Sequence, residues 1–250
     1  MPTLGTPLSL DQLNPGSCWQ LQANINGYVH RTDAELSTQA AAGRKFQLLL
    51  QPLESELQQA ETRVKVRLLE DGYPCWLNLK ELLGQAIACA PWQAEILKTA
   101  AIQQRLPAIM AWVEVAASQT NAYLWGGTLG PDFDCSGLIQ SAFVSQGIWL
   151  PRDAYQQEQF CTPVDIDSEN LERLRPGDLL FFGTQQRCNH VALYRGDGLY
   201  WHSSGHEHGN NRIACDGLPL IYGNPVAAHY RSELRGGGRI ERCHDGSTLP

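Results

Sequence analysis

The chain changes texture near residue 84, and that change limits what it can fold into. From about residue 16 to 83 the sequence is a series of short apolar-alternating runs cut by turns. Arg63-Val64-Lys65-Val66-Arg67-Leu68 is the clearest run, with apolar and basic residues alternating at period two as on a half-buried strand. Asp71-Gly72-Tyr73-Pro74 interrupts the ladder and Cys75-Trp76-Leu77 resumes it. Several such runs in about 70 residues predict a small β-barrel.

Beyond residue 84 the reading turns helical. Trp92 to Leu106 has helical composition, and Pro107 is expected to end that helix and start another at its first position. Ile109, Trp112, Val113 and Ala116 then recur at i, i+3, i+4 and i+7, which gives one apolar face. A loop, a helix from Cys135 to about Gln146 closed by Gly147, and strands at Leu179–Phe182 and from His190 follow. Helices followed by a strand meander predict an α+β domain. The expected division is residues 1–84 as the barrel, 85–107 as a helical linker and 108–250 as the second domain.

Charge and cysteine usage narrow the function classes. A formal charge of −7 over 250 residues speaks against a nucleic-acid partner or a polybasic membrane anchor. No stretch approaches the ~20 apolar residues of a bilayer span. The first residues lack a basic, apolar secretory leader, so a cytoplasmic location is expected. With no CxxC pair among the eight cysteines, reduced thiols are expected.

Asp134-Cys135-Ser136-Gly137 opens an amphipathic helix after a glycine-rich stretch. A cysteine in a first helical turn faces unpaired N–H groups and the positive dipole end, both of which favour the thiolate. Asp134 works against a second anion unless capping or a cation neutralises it. A base for this nucleophile is sought in His190 to His202, which reads as a hairpin. A two-residue loop at Asp197-Gly198 would set Leu193 opposite His202 and put His190 and His202 on opposite faces. A three-residue loop, Gly196-Asp197-Gly198, would set Ala192 opposite His202 and make the histidines diagonal neighbours, ~7–8 Å apart at the backbone. The glycines favour the three-residue loop. Cys135 as nucleophile, His190 as base and His202 as its orienting partner then form a triad.

Tyr123-Leu-Trp-Gly-Gly127, Asp134-Cys-Ser-Gly137, Pro176-Gly-Asp-Leu-Leu-Phe-Phe182, His190-Val-Ala-Leu-Tyr194 and His202-Ser-Ser-Gly205 together resemble the NlpC-type cysteine peptidases, in that family's order over about residues 108–240. Glu70-Asp-Gly-Tyr-Pro-Cys-Trp-Leu77 resembles a bacterial SH3-type barrel, and with Leu150-Pro-Arg-Asp-Ala-Tyr-Gln-Gln157 the pair is similar to a cyanobacterial two-domain subgroup. The resemblance implies a papain-like catalytic domain behind an SH3-like barrel. It implies hydrolysis of the γ-D-glutamyl–diaminopimelate bond in murein tri- or tetrapeptides, without a cofactor, by a monomer or weak oligomer acting in wall recycling.

It also implies residue roles. The Cys135 N–H and the Tyr123 hydroxyl would stabilise the oxyanion. Tyr73 and Asp134 would hold a free L-alanine amine, Ser136 and Trp125 would line the glutamate pocket, and Arg152 or Asp153 would contact peptide. Bland alternatives stand beside these: Trp125 packing its loop, or Arg152 pairing with Asp153 or Asp165 at the surface. His202, His206 and His208, with Cys188 or Cys215, invite a metal reading, but their spacing matches no structural zinc signature. The glycines from Gly126 to Gly130 lack the Gly-Lys-Ser/Thr of a P-loop and are read as a turn into the helix.

Overall fold

A computed structural model describes residues 2–51, 62–167, 170–219, 221 and 223–247. The chain forms two compact units, one from the N-terminus to Ala94 together with the residues from His244, the other from Glu95 to Cys243.

Among the described residues the first unit holds seven strands, β1 (Cys18–Leu21), β2 (Ile25–Tyr28), β3 (Leu36–Ala40), β4 (Lys45–Leu48), β5 (Arg63–Leu68), β6 (Pro74–Asn78) and β7 (Ala86–Ala88), with a single helical turn, α1 (Leu79–Leu82), between the last two. They make one antiparallel sheet in the order β3-β2-β6-β5-β4-β1-β7. The period-two reading of β5 holds: Val64, Val66 and Leu68 are buried, while Lys65 faces outward and its Nζ lies 5.2 Å from the Trp76 ring. Among the described residues β3 and β7 share no ladder, so the expected barrel is an SH3-like sheet without closure hydrogen bonds. Because β7 pairs with β1, this unit runs past residue 84 into the expected linker.

The turn at Glu70-Asp71-Gly72-Tyr73 rests on a buried cation. Arg44 Nε donates to Glu70 at 3.2 Å and its Nη2 lies 2.7 Å from Asp71. Asp71 also accepts the Tyr73 N–H at 3.2 Å. Tyr73 is half-buried and packs against the core of this unit.

The second unit begins with α2 (Thr99–Ser118), a single helix that contains Pro107. The expected break there does not occur. Proline removes one N–H from the ladder, but Pro107 and Gln103, whose carbonyl loses that partner, are both exposed, so water can satisfy it. Then come α3 (Cys135–Val144), α4 (Ala154–Phe160), β8 (Thr162–Val164), β9 (Leu179–Gly183), β10 (Cys188–Gly196), β11 (Leu199–Ser204), β12 (Arg212–Gly217), α5 (Pro225–Ser232) and β13 (Leu234–Arg239). The six strands form an antiparallel sheet ordered β12-β11-β10-β9-β13-β8.

Apolar clusters on both faces explain why β9 is a continuous apolar run. Leu179, Phe181, Val191 and Leu193 join a core with α2 and α3, whereas Leu180, Phe182, Ala192 and Tyr230 form a second. No disulfide joins any of the eight cysteines. Among the described residues no helix is long and apolar enough to cross a membrane.

Candidate active site

The site begins at the first turn of α3. Asp134 caps this helix, accepting the Gly137 N–H at 2.6 Å, and Cys135 is the first helical residue. Gly137 has to be glycine, because a Cβ there would stand 2.0 Å from the Gly127 carbonyl oxygen. The Gly126-Gly127 segment folds back on the cap, with Gly126 N–H donating to Asp134 at 2.9 Å. It is the turn into the helix that its sequence predicts.

A buried cation completes this cap. Arg152 is 1% exposed; its Nη2 lies 2.5 Å and its Nη1 3.2 Å from the Asp134 carboxylate, and Nη1 donates to Ser136 at 2.9 Å. Arg152 is therefore not a surface cation. Asp153 sits in a capping box with Gln156 at the start of α4, and Asp165 pairs with Arg173. The amine-holding role expected of Asp134 also meets an obstacle. Five contacts, from Gly126, Gly137, Ser136 and both Arg152 nitrogens, meet a carboxylate with about four lone-pair sites. Asp134 is saturated as it stands, so an incoming ammonium would have to displace a donor.

Burial and a neighbouring anion work against the expected preference of Cys135 for the thiolate. Burial pushes the thiol up to about 12, with the Asp134 charge adding to the rise. Backbone N–H groups of Val191 and Ser136 and the Arg152 charge act in the opposite direction and do not offset it. The sulfur lies 4.0 Å from the carbonyl oxygen of Asn189, so it meets β10 beside His190. Burial, with His202 and His229 nearby, holds His190 well below the ordinary histidine value. The resting pair is thus neutral thiol and neutral imidazole. Alkylation of Cys135 by iodoacetamide is expected to accelerate steadily with pH through 9, since the thiolate fraction grows until pH reaches the thiol pKa. A rate plateau below pH 8, read by peptide mapping, would contradict that state.

The two histidines meet as the shared-face reading requires. His190 Nε2 and His202 Nδ1 are 2.9 Å apart, and His202 is fully buried. The reason differs from the three-residue loop. Gly196 pairs with Leu199 around a two-residue turn, Asp197-Gly198, both residues having positive φ. A bulge between Tyr194 and Gly196 absorbs the odd residue, so Leu193 pairs with Trp201 and Ala192 falls opposite His202. Beyond His202 the line continues to a residue the sequence reading missed: His202 Nε2 lies 3.0 Å from Asp216 Oδ2. Asp216 faces His202 from β12, whose register sets His202 against Ala214.

Tyr123, His190, Tyr230, His206, His208 and Glu233 are among the residues lining a cleft of about 610 Å³. Tyr230 stacks on His190 with ring centroids 4.3 Å apart. Burial, then the neighbouring Cys135 and Asp134, raise the Tyr123 phenol, which therefore stays an O–H donor. His206 and His208 sit at the cleft wall, His208 stacked on His229 at 4.3 Å, while His202 belongs to the Asp216 line. Trp125 is 62% exposed, so most of its ring is open to solvent.

Comparison with known proteins places two domains on the chain. Residues 120–218 match the NlpC/P60 family and residues 30–82 match the bacterial dipeptidyl-peptidase SH3 domain. Over 84 residues the chain is 43% identical to the gamma-D-glutamyl-L-lysine dipeptidyl-peptidase of Bacillus cereus, covering 32% of this chain and 24% of that protein. Over 95 residues it is 40% identical to a probable endopeptidase of Mycobacterium tuberculosis, covering 38% and 23%. The matched stretch thus spans about a quarter of these curated relatives. A solved NlpC/P60 family protein from Bacillus cereus aligns with TM-score 0.41 and 21% identity, covering 93% of this chain and 66% of that one.

Proposed function

We propose that this chain, which carries an NlpC/P60 domain behind a bacterial dipeptidyl-peptidase SH3 domain, is a cysteine peptidase acting on murein peptides. The observation that carries the reading is that the Cys135 sulfur, at the start of α3, reaches the backbone of β10 at Asn189, next to His190, whose ring heads the His190–His202–Asp216 line. The Bacillus cereus relative, a gamma-D-glutamyl-L-lysine dipeptidyl-peptidase, supports the bond: a γ-D-glutamyl linkage to a diamino acid. The substrate we assign is a peptide with a free N-terminal L-alanine. The role is turnover of wall fragments in the cytoplasm.

In the first step His190 takes the Cys135 proton as the sulfur attacks the γ-carbonyl carbon. The charge that develops on the carbonyl oxygen meets the Tyr123 hydroxyl and the Cys135 N–H. His190 then gives its proton to the amine of the diamino acid as the C–N bond breaks, leaving a thioester on Cys135. Water, deprotonated by His190, adds to that thioester, which collapses to release the γ-carboxylate and restore the thiol.

Incubation with L-Ala-γ-D-Glu-diaminopimelate and its L-lysine counterpart, followed by mass spectrometry, tests the assignment. Release of L-Ala-D-Glu and the free diamino acid is expected, with a much slower reaction when the alanine amine is acetylated. Binding without cleavage would make the chain a murein-peptide carrier, and cleavage of another acyl bond alone would make it a different acyl hydrolase. Either result sinks the proposal.

A further inference from the structure

A base at His190 must carry its proton on the nitrogen turned away from sulfur, and a histidine pair does not settle that by itself. His190 Nε2 and His202 Nδ1 share one hydrogen bond, so either ring can be the donor. One arrangement leaves His190 Nδ1 bare as an acceptor for the thiol proton. The other places an N–H there, and the thiol has no base.

We propose that Asp216 is the positioning residue that selects the productive arrangement, by requiring His202 to keep its proton on Nε2. As a carboxylate, Asp216 accepts only, so His202 Nε2 must be the donor across 3.0 Å. His202 Nδ1 then accepts, His190 Nε2 donates, and His190 Nδ1 is left bare. Two asparagines keep the carboxylate charged and oriented. Asn210 Nδ2 donates to Oδ2 at 2.8 Å and Asn224 Nδ2 to Oδ1 at 3.1 Å. Burial alone would raise Asp216, but the bonds from His202, Asn224 and Asn210 outweigh it and hold the group below the usual carboxylate range. This assignment rests on the reading of His190 as the base for Cys135.

The surroundings make Asp216→Asn an informative variant. Asn224 cannot turn its amide freely, because its Oδ1 caps α5 by accepting the Ala227 N–H at 2.8 Å. Its Nδ2 must keep pointing at the Oδ1 position, so the new side chain has to keep its oxygen there. The new NH2 group then faces His202 and donates to Nε2, which reverses both histidines. Asn210, whose Nδ2 donates to the Oδ2 position in the native protein, has to turn its amide so that its oxygen accepts from the new group, and among the described residues no other hydrogen bond fixes that amide. With that one turn the arrangement is kept and the base is lost.

The test compares Asp216→Asn with Asp216→Ala in the full chain, on the γ-D-glutamyl peptide and by NMR of 15N-labelled histidines. Asp216→Asn is expected to lower kcat by at least about 100-fold at unchanged KM, since a wrong tautomer in a serine triad costs about 10⁴. Asp216→Ala imposes no reversed donor, so its loss is smaller. A merely structural role predicts the opposite order. In the native protein both rings are expected as Nε2–H tautomers, and in Asp216→Asn both as Nδ1–H. Should that variant not fold, the native spectrum alone decides: His202 protonated on Nδ1 overturns the assignment. So does an alanine loss equal to or above the asparagine loss. The NMR arm needs no turnover, so a failure of the peptidase reading is seen separately.

Discussion

Cys135→Ala is expected to abolish hydrolysis, with kcat falling by about 10⁴-fold or more, because nucleophile and base act as a unit whose loss is not shared out among the remaining groups. The substitution itself is mild. Cys135 is buried beside Phe133 and Leu138 in the core under α3, and the helix cap is made by Asp134 and Gly137. Removing one sulfur should leave the fold intact and peptide binding measurable by calorimetry. Retained binding with lost turnover separates chemistry from recognition. Turnover equal to the native rate would remove Cys135 from the reaction.

The second large effect is structural. Arg152→Met is expected to destabilise the second unit by about 3–5 kcal/mol, the usual consequence of leaving a buried charge without its partner. For a unit of this size that lowers Tm by roughly 6–20 °C. Asp134 would lose both guanidinium bonds, and it sits one residue from the nucleophile. The Arg152 charge also pulls the Cys135 thiol down, so its loss raises that group further and slows the attack. Adding Asp134→Asn removes the stranded charge and should restore much of the lost stability while activity stays low. Calorimetry of the three proteins checks this. A double variant no more stable than Arg152→Met would mean the pair is not what the arginine contributes.

These two effects differ in how far the sequence announces them. Cys135 is legible because its signal is local: a capping residue before it and a glycine where the helix start presses on a loop. Strand β5 is legible for the same reason, its alternation surviving intact as buried Val64, Val66 and Leu68. The shared face of His190 and His202 is legible from parity, although the odd residue lies in a bulge rather than in the loop. Bulge and loop insertion change register alike, so spacing alone does not separate them. Pro107 misleads because its exposure, which lets one unpaired carbonyl reach water, depends on which helix face is buried.

Partners distant in sequence are the least legible. Arg152 reads as a peptide contact or a surface cation until α3 and the segment before α4 are packed together around Asp134. Asp216 carries no motif at all. It acquires its place from the β11–β12 register, and its two asparagines come from a loop and from the cap of α5. The thiol's neutral resting state is a further consequence of burial, which the position at a helix start does not foretell.

The covalent step at the Cys135 sulfur is open to direct observation by intact-mass spectrometry. L-Ala-γ-D-Glu-diaminopimelate would be mixed with the protein and quenched in acid within the first turnover. The predicted result is a thioester of the L-Ala-γ-D-glutamyl group that maps to Cys135, is absent from Cys135→Ala and disappears in neutral hydroxylamine. Product formation with no adduct on Cys135 at any quench time, or an adduct that persists in Cys135→Ala, would show that Cys135 is not the acylated residue.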